Sequence, residues 1–310
     1  MQLTSVMYHY VRPLKGSQYP GIKGLELSGF RQQLDYLAQQ YEFISADHLI
    51  AHLKFGEALS DNACLLTFDD GYRDHFDFVL PELIKRGIQG CFFPPACSVI
   101  EKKLLDVNAI HFILAVTDDI SMLIADLKTQ TRIHGLPASR WDELWVRLAR
   151  PSNFDGKEVI FFKRMLQREL SAEMRAVIVT NLFEKHVGRS EREFCDELYM
   201  SADDLRELQS EGMYVGNHTY NHVWLNSLDR EGQESEISKS LEFLSSLGAP
   251  VRDWIMCYPY GGYNHDTIDI LKAHNCIAGL TTNSGICHLD QTSPFELSRF
   301  DTNDFPQGSI

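Results

Sequence analysis

The sequence lacks several features that would place it in other classes of protein. No run of about 18 or more apolar residues is present, so we expect no transmembrane helix. The 29 Lys and Arg residues against 43 Asp and Glu give a net charge of −14, which argues against sequence-independent binding to nucleic acid or to an anionic membrane. The first residues show no signal-peptide pattern, and none of the seven cysteines forms a Cys-x-x-Cys pair. We therefore expect free thiols and a cytoplasmic protein.

Short apolar runs alternate with helical patterns along most of the 310 residues. The six predicted strands are residues 5–8, 63–68, 90–93, 213–215, 254–258 and 277–280. Helical spacing of apolar residues lies between them, for example after Ser28, before Gly87 and after Ser201. Strands that alternate with helices predict an α/β fold with a parallel sheet, either open or closed into a barrel.

Residues 101–199 break this alternation, because they contain consecutive helical patterns and no convincing strand. Helices are predicted around residues 120–127, 138–148, 157–170 and 171–186. No linker rich in Gly, Pro or Ser flanks the segment. We therefore predict one domain, residues 1–310, with a helical insertion at residues 101–199.

Two adjacent carboxylates, Asp69 and Asp70, follow the apolar strand in the motif Thr-Phe-Asp-Asp-Gly at residues 67–71. The carboxyl end of a parallel strand is where α/β proteins build their sites. Two neighbouring carboxylates repel each other if both are ionised and desolvated. A cation relieves this repulsion, since one Asp can bind it while the other stays free as a base. An Asp-Gly turn without a site is the alternative interpretation.

Two histidines, His218 and His222, follow the strand predicted at residues 213–215. At positions i and i+4, they would lie on one face of a helical turn, close enough to share an ion. The His-Glu-x-x-His pattern of zinc peptidases is absent, because Thr219 follows His218. Two His and one Asp would leave a coordination position for water, as in hydrolytic metal sites.

Taken in order, these motifs resemble those of the polysaccharide deacetylase (NodB-like, carbohydrate esterase 4) family. Three further motifs support the resemblance: Met-Tyr-His at residues 7–9, Tyr-Pro-Tyr-Gly at 258–261 and Leu-Thr-Thr-Asn at 280–283. The resemblance covers about residues 1–100 and 200–305, and it is to the branch with a Tyr-Pro-Tyr/Phe-Gly motif. It implies a distorted (β/α)7-type barrel and hydrolysis of an N-acetyl group on a sugar.

The resemblance also implies roles for individual residues. Asp70, His218 and His222 match the family's metal ligands, which usually hold zinc, and Asp69 matches its general base. Tyr260 matches the residue whose backbone N–H helps to hold the oxyanion. The bound metal would polarise the acetyl carbonyl and the water. The resemblance therefore implies one divalent ion, zinc, as the cofactor and an amino-sugar or polysaccharide-precursor substrate as the partner.

Two departures from the family pattern concern the acid and an arginine. Family members often carry an Arg just before Pro-Tyr-Gly that pairs with the catalytic Asp, whereas this chain has Met256, Cys257 and Tyr258 there. The late Leu-His motif that supplies the general acid is not evident, although His9 and His288 are candidates, with an ordinary surface or packing role as the alternative for each. Substrate-binding candidates are His9, Pro259 and Arg299; Arg299 could instead pair with Asp69 or form a surface ion pair.

Three functions stay open on the sequence alone. The first is a metal-dependent N-deacetylase that acts on an amino sugar of a surface polysaccharide or lipopolysaccharide precursor. The second is a binding module for a sugar or a protein on a catalytically impaired deacetylase fold. The third is a hydrolase of another amide, such as a formyl group, on the same scaffold. Turnover of an N-acetyl sugar separates the first from the second, and substrate profiling separates it from the third.

Overall fold

A computed structural model gives the fold, and it describes residues 1–152 and 155–306. The strands, β1 to β11 in chain order, are Gln2–Tyr8, Val11–Arg12, Leu25–Glu26, Glu42–Phe43, Ala63–Asp69, Gly90–Phe93, Tyr214–Val215, Trp254–Cys257, Cys276–Leu280, Cys287–His288 and Phe300–Asp301. The helices, α1 to α13, are Leu27–Gln40, Ala46–Phe55, Leu80–Arg86, Ala96–Ile100, Asp106–Ala115, Ile120–Ile133, Ala138–Leu148, Lys157–Arg164, Ala172–Val187, Glu191–Leu198, Ala202–Ser210, Arg230–Leu247 and His265–Ala273. Single π-helical turns at His75–Val79 and Met165–Glu169 adjoin α3 and α8.

Parallel strand pairings and two single bridges follow one another around a closed ring. Strand β1 pairs with β5, β5 with β6, and β6 with β7, all in parallel. A bridge from Asn217 to Met256 continues the ring to β8, which pairs with β9. A bridge from Leu280 to Leu297 and the pairing of β11 with β1 complete it. The fold is therefore the predicted α/β class, a distorted (β/α)7-type barrel with inserted helices.

Buried apolar side chains explain why these segments form the barrel strands. All seven residues of β5 and all four residues each of β6 and β8 are buried. Strands covered on both faces in this way are typical of parallel sheets. The register sets Tyr8 of β1 opposite Phe68 of β5. His9, which follows β1, and Asp69, which is the last residue of β5, therefore lie at the same edge of the sheet.

The six predicted strands are all present, with ends that shift by at most three residues. The helix predicted after Ser201 is also confirmed, and a capping box begins it: the Ser201 hydroxyl accepts from the backbone N–H of Asp204, and the Asp204 carboxylate accepts from the backbone N–H of Ser201. The helix predicted over residues 157–170 is interrupted instead, since α8 ends at Arg164 and passes into a π-helical turn. The five strands missed by the prediction are two residues long, too short for a periodic pattern.

The chain divides into two compact units. The barrel unit comprises residues 1–13, 24–103 and 196–310, and the helical unit comprises residues 14–23 and 104–195. The helical unit has its own aromatic core, in which Phe194 contacts Phe112 and Phe183, with ring centroids 4.7 and 5.1 Å apart. Trp141 and Trp145 both pack on Phe161 in the same unit. The description of residues 1–310 as one domain with an insertion at residues 101–199 stays a prediction.

No helix in the described ranges is long and apolar enough to cross a membrane. The cytoplasmic location stays a prediction.

Candidate metal centre and its neighbouring carboxylate

The two adjacent aspartates lie at the carboxyl end of β5, as predicted. Asp69 is the last residue of that strand, and Asp70 follows it with a left-handed φ of 69°. Gly71 continues in the left-handed region at the same φ, where an added Cβ would lie 2.7 Å from Cβ of Pro94. A residue with a side chain would be strained at position 71 and would collide with this proline. The tight turn explains how two neighbouring carboxylates enter one site from different directions.

The two histidines reach the site from a loop, so the predicted helical turn is wrong. Thr219 and His222 both have left-handed φ angles, 62° and 54°, which an α-helix does not allow. Side chains hold the loop instead, since Asn217 Oδ1 accepts from the Thr219 backbone N–H and Thr219 Oγ1 accepts from the His222 backbone N–H. The Thr219 carbonyl also accepts from the backbone N–H of Ala96. The residues were predicted correctly, but their local structure was not.

Asp70 faces both imidazoles. Its Oδ1 atom lies 3.4 Å from Nε2 of His218 and 3.1 Å from Nε2 of His222, and all three residues are at most 8% exposed. Nδ1 of His218 lies 2.7 Å from the backbone oxygen of Cys257. Because a carbonyl only accepts, the proton of the neutral ring belongs on Nδ1, and Nε2 presents its lone pair to Asp70. The hydroxyl of Tyr72 donates to the other oxygen of Asp70, Oδ2, at 2.5 Å.

These residues fit a divalent metal ion. Oδ1 of Asp70 is buried and has no hydrogen-bond partner within the described ranges, although it faces the two imidazoles. One ligand atom from each of the three residues can be chosen so that all lie within 4.8 Å of one another. Ligands about 2.0–2.1 Å from a tetrahedral ion are about 3.3 Å apart, and the two Asp70–histidine separations are close to this value. Two imidazoles and one carboxylate form the open donor set of a hydrolytic site.

Asp69 has entirely different partners. Nη1 and Nη2 of Arg299 donate to its two carboxylate oxygens, each at 2.8 Å, and the thiol of Cys257 donates to Oδ1 at 3.4 Å. Arg299 also donates to Oγ1 of Thr67 and to the carbonyl of Thr281. It is 1% exposed, so the surface ion pair considered for it is wrong. Its predicted contact with substrate stays a prediction.

The electrostatic environments of the two carboxylates keep both ionised. Burial alone would raise the pKa of Asp69, but the charge and hydrogen bonds of Arg299 outweigh it and lower the pKa to about 2. Burial also opposes ionisation of Asp70, whereas His222 and His218, when their Nε2 atoms carry protons, hold its pKa well below the ordinary value. Asp69 is therefore an ionised carboxylate held in place by a fixed cation.

The predicted oxyanion residue, Tyr260, lies in the turn Pro259–Gly261, which follows β8. Its ring packs edge-on against His222 with centroids 4.6 Å apart, and its φ of 57° is left-handed. Pro259, a predicted substrate-binding residue, begins the same turn and is buried. The turn therefore lies against one of the predicted metal ligands, and the role of Tyr260 stays a prediction.

The two histidines considered as general acid lie at opposite ends of the barrel. His9 follows β1 directly at the edge where Asp69 leaves the sheet, and its backbone oxygen lies 2.8 Å from Nε2 of His75. His288 pairs with Gln2 at the other end of β1 and is exposed. This placement removes His288 as a candidate acid.

Two residues that contact the aspartates directly were not predicted: Tyr72, which donates to Asp70, and Cys257, which donates to Asp69. Tyr72 lies directly after the Asp-Asp-Gly turn, so its position beside the carboxylates was a usable signal. Cys257 ends an apolar strand and reads as an ordinary core thiol. Only the folded structure brings it to Asp69.

The structure thus defines a class of protein: a closed α/β barrel with a candidate metal site beside a second, arginine-bound carboxylate. The family model described as polysaccharide deacetylase matches residues 172–278, which include both site histidines and Tyr260. The putative polysaccharide deacetylase YxkH of Bacillus subtilis (strain 168) is 27% identical over 93 residues, which span 30% of this chain and 33% of that protein.

Two solved structures share the fold over nearly the whole chain. The deacetylase PplD of Streptococcus pyogenes, in complex with acetate, is 18% identical with a TM-score of 0.56, covering 97% of this chain and 92% of that one. A de-N-acetylase from Aggregatibacter actinomycetemcomitans is 15% identical with a TM-score of 0.53, covering 97% and 96%. Over residues 172–278 the chain is therefore similar to the polysaccharide deacetylase family, and the solved structures show that it shares the fold of these deacetylases.

Proposed function

We propose that this protein is a metal-dependent hydrolase that removes N-acetyl groups from an amino sugar. The observation that carries the proposal is that the two adjacent aspartates have different partners. Asp70 faces His218 and His222 with an oxygen that has no hydrogen-bond partner in the described ranges, whereas both oxygens of Asp69 are bound by Arg299. One carboxylate is thus arranged to bind an ion and the other to remain a base.

In this proposal, Asp70, His218 and His222 would hold one divalent ion, zinc. When bound, such an ion acts as a Lewis acid that polarises a carbonyl and lowers the pKa of water. Asp69 would accept the proton of the attacking water. Arg299 keeps Asp69 ionised and fixes both of its oxygens, although a low pKa makes the carboxylate a weaker base. The backbone N–H of Tyr260 would donate to the oxyanion.

For the substrate, we propose an N-acetylated amino sugar of a surface-polysaccharide or lipopolysaccharide precursor. The family and the two structural neighbours, a deacetylase and a de-N-acetylase, support this class of acyl group. The negative net charge of −14 is unsuited to a strongly anionic polymer. A neutral or cationic amino-sugar conjugate is therefore the better first choice.

The test combines metal analysis with acetate release. The protein is purified, its metal content is measured, and acetate is quantified from a panel of N-acetylated amino-sugar conjugates, with N-formyl analogues beside them. We expect one metal ion per chain and acetate release that is lost after chelation and in Asp69→Asn. Metal without acetate release would favour the binding module, and release of formate alone would favour the other amide hydrolase. Either result would contradict the proposal.

A further inference from the structure

Trp224 lies against the proposed oxyanion residue, although no motif singled it out. It follows the metal-ligand candidate His222 by two positions, and its ring stacks on that of Tyr260 with centroids 3.6 Å apart and planes 11° apart. Tyr260 in turn packs edge-on against His222. The three rings form a continuous row, defined here as the aromatic row, which links the loop of the metal ligands to the turn of the oxyanion residue.

Trp224 is itself firmly held. Its backbone carbonyl accepts from the backbone N–H of Ser227 at 3.0 Å and from the Ser227 hydroxyl at 2.7 Å. The next residue, Leu225, is fully buried in the apolar cluster that also contains Tyr258. Because its backbone is held in this way and the next residue is anchored in the core, Trp224 can offer its indole as a fixed surface to its neighbours.

The turn of Tyr260 packs directly on this surface. At Gly262, an added Cβ would lie 2.8 Å from Cδ1 of Trp224 and 3.1 Å from its Cα. The absence of a side chain at Gly262 therefore allows the turn to approach the indole closely. Tyr260 has a left-handed φ of 57°, which is unfavourable for a tyrosine. Such a conformation persists only where surrounding contacts enforce it.

We propose that Trp224 is a positioning residue, which holds the Tyr260 turn in its left-handed conformation and so aims the Tyr260 backbone N–H at the reacting carbonyl oxygen. This inference rests on the proposed deacetylase function. A stacked ring supplies the contact that offsets the backbone strain. A displacement of about 1 Å in a reacting or stabilising group costs about 10²-fold in rate, so loss of this contact should affect catalysis more than binding.

Three substitutions test the proposal by steps. Trp224→Phe keeps a stacking ring, Trp224→Leu keeps apolar volume without a ring, and Trp224→Ala keeps neither. We expect kcat to fall about 10- to 100-fold in Trp224→Ala and Trp224→Leu, and only a few-fold in Trp224→Phe. KM and the metal content should stay within about twofold of the parent. Trp145→Ala, in the helical unit, is the matched control and should leave kcat unchanged.

A second readout does not depend on activity. Amide hydrogen exchange of the peptide that contains residues 258–262 reports whether the turn stays closed, because the backbone N–H groups of Gly261 and Gly262 donate within it. We expect faster exchange in Trp224→Ala and Trp224→Leu but not in Trp224→Phe. Unchanged exchange would overturn the proposal, and so would a rise in KM at constant kcat, which would mark Trp224 as a sugar-binding surface. If the parent releases no acetate, the proposed function fails, while the exchange comparison still decides whether Trp224 holds the turn.

Discussion

The two halves of the site are built around neighbouring carboxylates that share a strand end and little else. On the histidine side, Asp70 faces His218 and His222. On the arginine side, Asp69 is bound at both oxygens by Arg299. Both aspartates are almost completely buried. Burial therefore does not distinguish them, and the difference lies in the charge that each one faces.

This difference teaches how adjacent carboxylates can take separate roles. On the arginine side, the permanent positive charge of Arg299 balances the charge of Asp69. This carboxylate therefore needs no metal ion to balance its charge. On the histidine side the imidazoles can each offer a lone pair, so the charge that balances Asp70 can be a metal ion. The left-handed turn at Asp70 and Gly71 lets the carboxylates of Asp69 and Asp70 enter the site from different directions. A substitution can change either side alone. We expect a loss of metal affinity on the histidine side and a loss of stability on the arginine side.

Loss of a ligand on the histidine side should have the largest effect. In His222→Ala, we expect metal affinity to fall by more than the 10- to 100-fold that is typical for the loss of an outer partner, so that stoichiometric metal is lost after dialysis. Elemental analysis measures the content, and circular dichroism checks the fold. His288→Ala, an exposed histidine at the other end of β1, is the control. Full metal content in His222→Ala would remove this residue from the site.

Loss of the cation on the arginine side should affect stability instead. Arg299→Met leaves Asp69 buried and unpaired, so we expect the free energy of unfolding to fall by about 3–5 kcal/mol, as measured by urea denaturation of the metal-free protein. Arg230→Met breaks the exposed pair with Asp266 and should cost less than about 1 kcal/mol. Equal losses in the two variants would contradict the buried ion pair.

The same variant gives a pH dependence with a definite sign. In the parent, the pKa of Asp69 is about 2, below the ordinary value of 3.8. The stabilisation from its ionised form is therefore complete above pH 4 and is lost as the pH falls through about 2. In Arg299→Met, burial without the cation raises the pKa of Asp69, so the stability difference between the parent and this variant should begin to narrow above pH 4 and narrow further as the pH falls through about 2. A difference that stays constant down to pH 2 would show that Arg299 acts through packing alone.

A smaller effect is expected from the outer partner of Asp70. Tyr72→Phe removes the hydroxyl that donates to Oδ2, so metal affinity should fall about 10- to 100-fold while the site still fills at excess metal. Competition with a chelator gives the affinity. Tyr263→Phe removes a comparable bond between a tyrosine and a carboxylate, at Glu296, and should leave the affinity unchanged. Equal affinities in Tyr72→Phe and the parent would show that this hydroxyl does not support the ligand.

The barrel was predictable because its strands are short apolar runs bounded by turns, and β5, β6 and β8 are buried along their whole length. Asp69 and Asp70 were recognised as candidates because adjacent charges at a strand end require an explanation. The histidines were recognised from their spacing, but the spacing indicated a helix. Left-handed residues at Thr219 and His222 bring the rings together by another route.

The arginine side was not fully predictable from local patterns. Arg299 and Asp69 are 230 positions apart, and no spacing rule connects them. The sequence suggests an ion pair between Arg299 and Asp69, but nothing in it favours this pair over a surface ion pair of Arg299. Cys257 and Trp224 present the same problem, because each resembles an ordinary apolar residue until the closed barrel sets it against its partner. Contacts across the barrel depend on the register of the whole sheet, which no local pattern contains.

The most direct test compares Asp69→Asn with Asp70→Asn, which change one atom each at neighbouring positions. Metal content is measured first, and acetate release from a conjugate that the parent hydrolyses is measured second. We expect Asp69→Asn to keep its metal and lose about 10²–10⁴-fold in rate, and Asp70→Asn to lose affinity for metal and recover part of its activity in excess metal. If Asp69→Asn loses the metal while Asp70→Asn keeps it, the assignment of the two sides is reversed. If both hydrolyse the conjugate as fast as the parent does, the account of the site is wrong.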